Sequence, residues 1–588
     1  MSNHLVSIIA GILLLIMFSL AIFSIKEDSL TFDETAHITT GYSYLTQKDY
    51  RLNPEHPPLI KDIAALPLLF LNLNFPKDHP AWVQKEPPQW WSQFDLASQF
   101  LYHSGNNPDQ ILFWSRLPMI FLLIFLGWFL FKWARELFGN KAALLTLFFF
   151  SFSPTLLAHG RLVTTDVGAA AGIFIAIYYF IRFLKNPSPK NIIVAGISFG
   201  LAMLCKFTVA LLIPLFGLVA FIWGLLQSEQ QKIKLILKYL GLTLLVGIVG
   251  IIIIWPIYQY HVWNYPPEKQ LRDTEFLLSN LGNRTIAETV IWMADKPVLR
   301  PYAHYALGLL MVMQRGAGGH TTYFLGEISA AGWKTYFPIV YLIKESLTLH
   351  ILTLIALLYA AWLIRKPFWQ NSFQRIKDWI KSHLPEFTML VFIGIYWTAS
   401  LSSNLNLGVR HLLPVFLFTF ILVSAIITSW LKSPYLRIKY FLLGILILWQ
   451  LISVISIYPH FLAYFNELAG GPNRGYIYTV NSNLDWGQDL KRLKKWVNEN
   501  KIDKIYVDYF GGGDLKYYLK EKYEPWWGTR DPKELPKGNY LAVSASLLQG
   551  GRGEPARGFD QPTGYYHWLD KYTPVTKIGY SIFVYYIP

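Results

Sequence analysis

The stretch ILFWSRLPMIFLLIFLGWFLFKWARELFGNKAALLTLFFFSFSPTLLAH (111–159) holds two apolar blocks, 111–131 and 143–159, separated by a short connection carrying Lys132, Arg135 and Lys141 against a single acid, Glu136. A helix needs about 20 apolar residues to cross the hydrocarbon core of a bilayer. The stretch therefore reads as two membrane spans joined by a basic turn. Comparable blocks stand at about 5–25, 166–183, 191–206, 208–227, 235–256, 336–363, 385–401, 411–430 and 439–458, giving about eleven spans. The composition agrees: of 588 residues, 53% are hydrophobic and only 15% charged, against about 25% charged in ordinary soluble proteins. Disordered, collagen-like and nucleic-acid-binding classes are excluded, and the single cysteine, Cys205, excludes a disulfide scaffold.

The excess of basic residues, +15, is informative through its placement. Alternate connections carry Lys132, Arg135 and Lys141; Arg182, Lys185 and Lys190; Lys232, Lys234 and Lys238; Arg365, Lys366, Arg375, Lys377 and Lys381; and Lys432, Arg437 and Lys439, with only Glu136, Glu229 and Asp378 as acids. Short cytoplasmic loops collect Lys and Arg. The expected arrangement is a multi-pass protein of the inner (cytoplasmic) membrane with its N-terminus in the cytoplasm. Residues 5–25 are long for a signal peptide, lack a basic n-region and are read as an uncleaved first helix.

The large segments then lie outside: loops at about 26–110 and 257–335, and a tail from 459 to 588. The tail mixes an amphipathic stretch (489–500) with β-branched and aromatic runs at 505–510, 540–546 and 578–587, as expected for a small extracytoplasmic α/β domain following a transmembrane domain of residues 1–458.

The first outer loop, LTFDETAHITTGYSYLTQKDYRLNPEHPPLIKDIAALPLLF (30–70), carries the chemistry. Asp33 and Glu34 stand at the outer membrane boundary, and Glu55 and His56 precede a Pro-Pro turn and an apolar helix too short to span. A carboxylate placed there can take a proton from a substrate hydroxyl, a role worth roughly 10²–10⁴ in rate. The plain alternative is a hydrated pair or a helix cap. Asp166, in HGRLVTTDVGAAAGIF (159–174), stands at the same boundary, where it could also cap the following span. Arg161, Lys206, Lys344 with Glu345, Arg410 and His411 gather on that face. Singly, these cations read as snorkelling side chains; together they suit an anionic ligand such as a lipid phosphate. The GGGD at 511–514 reads as a tight turn, the glycines of 549–558 as a surface loop, and the tryptophan pairs at 90–91 and 526–527 as a belt or a sugar platform. No histidine spacing suits a metal and no DxD pair stands outside, so no cofactor is expected, with divalent-metal dependence left open.

FDETAH (32–37) followed by NPEHPPLIK (53–61) resembles the first-loop signature of protein O-mannosyltransferases and their bacterial relatives, membrane C-type glycosyltransferases that use polyprenyl-phosphate sugars. Asp166 with FGLAMLCKFTVALLIP (199–214), YFLGEISAAGWKTYFPIVYLIKES (323–346) and NLGVRHLLP (406–414) is similar to the family's later segments; YPHFLAYFNELAGGPNRGY (458–476) and NSNLDWGQDL (481–490) resemble a bacterial subgroup. Asn481 stands where that subgroup would have aspartate. The resemblance implies a C-type glycosyltransferase fold and an inverting transfer of a sugar from a polyprenyl-phosphate donor in the bilayer to a hydroxyl of protein, lipid or glycan. It implies Asp33 as catalytic base or as the group that orients the acceptor, with Glu34 beside it and Asp166 in the cavity, the three forming the catalytic set. Glu55 and His56 would line the cavity, and Lys206, Arg410 and His411 would hold the donor phosphate. A flippase of lipid-linked sugars and a non-catalytic envelope-assembly protein are the rival readings; the asymmetry of the loops and the lack of a repeat weigh against the flippase.

Overall fold

The computed structural model describes residues 2–84, 88–364 and 371–588, so Arg365 and Lys366 of the fourth basic connection lie outside the described residues. In chain order come α1 (Asn3–Ser24), α2 (Phe32–Gln47), α3 (Leu59–Ala65), α4 (Pro108–Ser151), α5 (Thr165–Lys185), α6 (Pro189–Met203), α7 (Phe207–Gln227), α8 (Lys232–His261), α9 (Arg300–Gly318), α10 (Leu347–Ile364), α11 (Leu384–Leu401), α12 (Val409–Trp430), α13 (Leu436–Ser456) and α14 (Leu490–Glu499). Among the described residues, nine of these helices (α1, α4, α5, α7, α8 and α10 to α13) are long and apolar enough to cross a membrane, and α6 is a shorter apolar helix. The protein is an integral membrane protein built mainly of helices.

The opening stretch folds as its two blocks require. At Gly139 the backbone takes φ 79° and ψ −176°, a conformation open to glycine and costly for other residues. There α4 doubles back on itself: a β-carbon added at Gly127 would lie 2.7 Å from the Phe150 ring, and one at Gly160 would lie 2.6 Å from Leu123. One long helix is thus an antiparallel pair, packed closely where small residues allow it. The expected span at 336–363 is interrupted. Tyr336–Lys344 and α10 are separate helices, and Glu345 between them is extended.

Contacts between the basic connections put them at one end of the bundle. Lys377 Nζ lies 2.8 Å from Glu229, which also pairs with Lys232. Lys141 donates to the Tyr440 hydroxyl, and Arg135 donates to the side chain of Asn3.

The tail forms strands β1 (Ile505–Asp508), β2 (Tyr523–Pro525), β3 (Asn539–Ser544), β4 (Thr576–Ile578) and β5 (Ile582–Ile587) in the sheet order β2-β1-β3-β5-β4. β1 runs parallel to β2 and β3, while β5 is antiparallel to β3 and β4. Alternation decides the two faces. Ile505, Val507, Ala542 and Val584 pack with Leu490, Leu493 and Val497 of α14, whereas Leu541, Val543, Phe583 and Tyr585 pack with Leu548 and Leu569. The glycine-rich segment 549–558 is more ordered than a surface loop. Ala545–Arg552 is helical, and Glu554–Pro555 pairs in parallel with Glu327–Ile328, tying the tail to the 257–335 loop.

Candidate active site

Four charged side chains meet near the start of four helices. Asp33 stands in the first turn of α2, Asp166 in the first turn of α5, Lys206 immediately before α7, and Arg410 in the opening turn of α12. Arg410 Nη1 lies 2.9 Å from Asp33 Oδ2 and 3.1 Å from Asp166 Oδ2, and Lys206 Nζ donates to Asp166 Oδ1 at 2.5 Å. The placement suits the acids, because helix N-termini carry partial positive charge. It is adverse for the cations, which the two carboxylates hold there instead. Asp33 keeps 26% of its side-chain surface exposed and Lys206 12%, against 2% for Asp166. Arg410 spans the two acids and stacks on Trp486, with its guanidinium carbon 4.2 Å from the ring centroid.

Several buried polar atoms around Arg410 have no protein hydrogen-bond partner: Nε of Arg410 itself, Nε2 of His411, both ring nitrogens of His159 and the Thr164 hydroxyl. Buried polar groups are normally satisfied, and the Asp28–Arg161–Arg492 cluster has unpartnered atoms as well, so it is the exposure of Asp33 and Lys206 that distinguishes this cluster.

Glu34, one residue from Asp33, faces the other way. Its side chain is fully buried. It accepts from the Thr31 backbone N–H at 3.0 Å, the Val163 N–H at 2.9 Å, and the Arg116 guanidinium, whose Nε lies at 2.8 Å. The Thr31–Glu34 pair closes the capping box of α2. The structure therefore separates Glu34 from the open cluster and makes it the anchor of the helix that presents Asp33. Asp166, by contrast, makes no cap: it is engaged with Lys206 and Arg410.

Glu55 and His56 lie on the turn before α3. Glu55 accepts from the Trp90 indole at 3.2 Å and from Arg315 at 3.3 Å. The His56 ring meets His37 edge-on, their centroids 5.0 Å apart. Burial lowers the pKa of His37 to about 4, and burial with nearby cations pushes His56 well below its ordinary value. The turn is held by Lys61, which is fully buried and donates to the Tyr44 hydroxyl, the Asn53 side chain and the His56 carbonyl. His320 is half-buried within electrostatic reach of Asp33, Arg315 and Arg410.

Two expected cations are committed elsewhere. Lys344 donates to the carbonyls of Leu462, Tyr464 and Asn483, and its neighbour Glu345 accepts from Ser153. Arg161 pairs with Asp28 at 2.8 Å. A buried ammonium saturated by three carbonyls is a structural tie, and it leaves no donor for a ligand.

Sequence reading missed the supports. Arg116 sits inside an apolar helix and gives no local signal. The segment 482–488 grips both halves of the cluster: the Phe32 N–H donates to the Trp486 carbonyl, the Ser29 N–H to the Gln488 carbonyl, and the Val409 N–H to the Asn483 side chain. Asn481 adopts φ 56°, a left-handed conformation asparagine tolerates, and its backbone N–H donates to Ser546. The GGGD run is a place of close approach, since a β-carbon at Gly512 would lie 1.8 Å from the Thr35 hydroxyl on α2. Among the described residues, no group of three or more His, Cys, Asp or Glu side chains is arranged to hold a metal ion.

Residues 104–255, roughly a quarter of the chain, match the family model described as dolichyl-phosphate-mannose-protein mannosyltransferase. A comparison with characterised protein sequences gives no significant match. Among solved structures, the chain has distant similarity to the Archaeoglobus fulgidus oligosaccharyltransferase in complex with Zn and sulfate (13% identity, 98% of this chain and 73% of that chain, TM-score 0.45). ArnT from Cupriavidus metallidurans is also similar, in the apo state (12% identity, 99% and 98% covered, TM-score 0.31) and bound to undecaprenyl phosphate (13% identity, 100% and 98% covered, TM-score 0.28). The segment similar to the mannosyltransferase family contains Arg116, Asp166 and Lys206, while Asp33 and Arg410 join them from outside it.

Proposed function

We propose that this protein is a membrane glycosyltransferase that moves a sugar, hexose or mannose-like, from a polyprenyl-phosphate donor to an acceptor hydroxyl of protein, lipid or glycan, with inversion at the anomeric carbon. The observation that carries the reading is the Asp33–Arg410–Asp166–Lys206 cluster, formed where α2 and three candidate membrane helices begin and open at Asp33 and Lys206. The family match over the segment holding Asp166 and Lys206 supports it.

In this mechanism Asp33 accepts the proton of the acceptor hydroxyl. The acceptor oxygen forms its bond to the anomeric carbon as the bond from that carbon to the donor phosphate oxygen breaks. The phosphate departs carrying the electron pair. Arg410 and Lys206 stabilise the charge that develops on it, an effect fixed donors provide without reorganising. Asp166 holds both cations in place, Glu34 and Arg116 fix the helix that aims Asp33, and His411 stands beside Arg410 with a free ring nitrogen. Glu55 and His56 line the approach. The donor's apolar tail stays in the bilayer, which accounts for a site at a membrane boundary. We further infer that this boundary is the extracytoplasmic face of the inner membrane, where the tail helps bind the acceptor.

The test is sugar transfer by the purified protein from radiolabelled polyprenyl-phosphate sugars to extracted envelope acceptors, with wild type and Asp33→Asn side by side and chelator in half the reactions. Transfer by wild type and its loss in the variant support the reading. No transfer from any donor by folded wild type rejects it.

A further inference from the structure

A second charged cavity lies at the membrane boundary, outside the candidate active site. It encloses about 220 Å³ and is lined by Lys26 and Glu27, just beyond the end of α1, by Asp109 in the first turn of α4, by Lys491, Arg492, Lys494 and Lys495 of α14, and by Tyr518. Five cationic side chains face two carboxylates. Lys491 Nζ lies 3.2 Å from Asp109, Lys495 Nζ 3.3 Å from Glu27, and Arg492 is turned inward to Asp28 and Asp489. That leaves two ammonium groups that, among the described residues, meet only ring faces: Lys494 over Tyr518 and Lys26 over Phe23.

The height of this cavity follows from the helices that frame it. α1 ends at Ser24 and α4 begins at Pro108, and both are apolar enough to span. Phe23 is exposed one residue before the end of α1, and Phe113 and Trp114 are exposed just over one turn inside α4. Residues four apart share a helix face, so Phe113 lies directly below Asp109. Exposed tryptophan sits at the headgroup level of a bilayer, so Trp114 marks that level beside the two exposed phenylalanines. α14 buries Leu490, Leu493 and Val497 against the sheet and turns its lysines to the other side. The cavity therefore joins surplus positive charge to an apolar collar immediately beneath it.

We propose that this cavity binds the phosphate headgroup of an anionic membrane lipid, with the acyl chains lying along the surface that Phe23, Phe113 and Trp114 expose. Lys26 and Lys494 supply the uncommitted donors, and Lys491 and Lys495 trade one carboxylate contact for the phosphate. Docking is sequence-remote but local in space, so one lipid would bridge the first helix, the fourth helix and the tail. The proposal stands apart from the glycosyl-transfer reading, because none of these residues belongs to the Asp33 cluster.

The experiment is native mass spectrometry of the full-length protein in detergent, with phosphatidylglycerol and phosphatidylcholine of matched chains as probes, and inorganic phosphate as a soluble competitor. Wild type is expected to retain phosphatidylglycerol about tenfold over phosphatidylcholine, and Lys26→Glu with Lys494→Glu to bring that ratio to about one. Thermal melting checks that the variant is folded; if it is not, Lys26→Met with Lys494→Met takes its place. Equal retention of the two lipids by wild type, or an unchanged preference in a folded variant, overturns the proposal. Displacement of the lipid by inorganic phosphate at equal concentration overturns the headgroup assignment in favour of a soluble phosphate.

Discussion

Two clusters of the same charge balance lie in this protein. In one, Asp33 and Asp166 hold Arg410 and Lys206; in the other, Asp28 and Asp489 hold Arg161 and Arg492, with Arg492 Nη2 2.7 Å from Asp28 and Nη1 2.5 Å from Asp489. Each pairs two acids with two cations. What separates them is access. In the second cluster no side chain exceeds 8% exposure, and it ties the end of α1, the segment before α5 and the tail together. The first is open at Asp33 and Lys206, while both contain buried polar atoms that lack a hydrogen-bond partner among the described residues. Paired charges alone do not make a candidate site; an opening through which a ligand can reach them separates the two.

That contrast can be broken or sharpened by substitution. Asp33→Asn has the largest expected effect on chemistry: turnover falls by at least about a hundredfold, with expression and melting temperature retained, as measured by sugar transfer and thermal denaturation. Arg492→Ala strikes the closed cluster and leaves Asp28 and Asp489 buried without their shared partner. The expected loss is about 3–5 kcal/mol of stability, read from denaturation, with turnover per folded molecule unchanged; lost turnover at full stability would erase the distinction between the clusters. Glu34→Gln tests the boundary between them. It removes charge-assisted bonds from Arg116 and is expected to cost about 1–3 kcal/mol while sparing most of the activity that Asp33→Asn abolishes.

The smallest effect is on pH dependence. Burial pushes the Asp485 carboxyl up to about 7 from its ordinary value near 4. The folded state therefore binds this proton more tightly than the unfolded chain, so the group's contribution is fully present below about pH 4 and declines as pH rises toward 7. The slope is on the order of 1 kcal/mol per pH unit. Asp485→Asn is expected to flatten melting temperature across that interval; an unchanged slope would remove Asp485 as its source.

Much of this was legible before the structure. The apolar blocks, the basic turn between 131 and 143, and the strands and amphipathic helix of the tail are local patterns. Asp33, Asp166, Lys206 and Arg410 announce themselves as charges at the ends of apolar segments. What sequence could not separate is Asp33 from Glu34. Adjacent helical residues point about 100° apart, and which of the two faces the opening depends on Arg116, some eighty residues away. Thr31 three positions before Glu34 was the one available signal of its capping role. Lys344 and Arg161 looked like ligand cations for a related reason: the carbonyls and the carboxylate that occupy them come from distant parts of the chain. Gly512 looked like a turn because the surface it touches belongs to α2.

The grip of Trp486, Gln488 and Asn483 on the segments leading into Asp33 and Arg410 has a consequence in time. Asp33 leaves the ribosome among the first residues, and Arg410 follows near the last third of synthesis, yet the backbone contacts that hold both come from a stretch made later still. A nascent chain can insert every span without completing this set of contacts. The last segment to emerge closes it, so an interrupted translation product lacks part of the frame around Asp33 and Arg410.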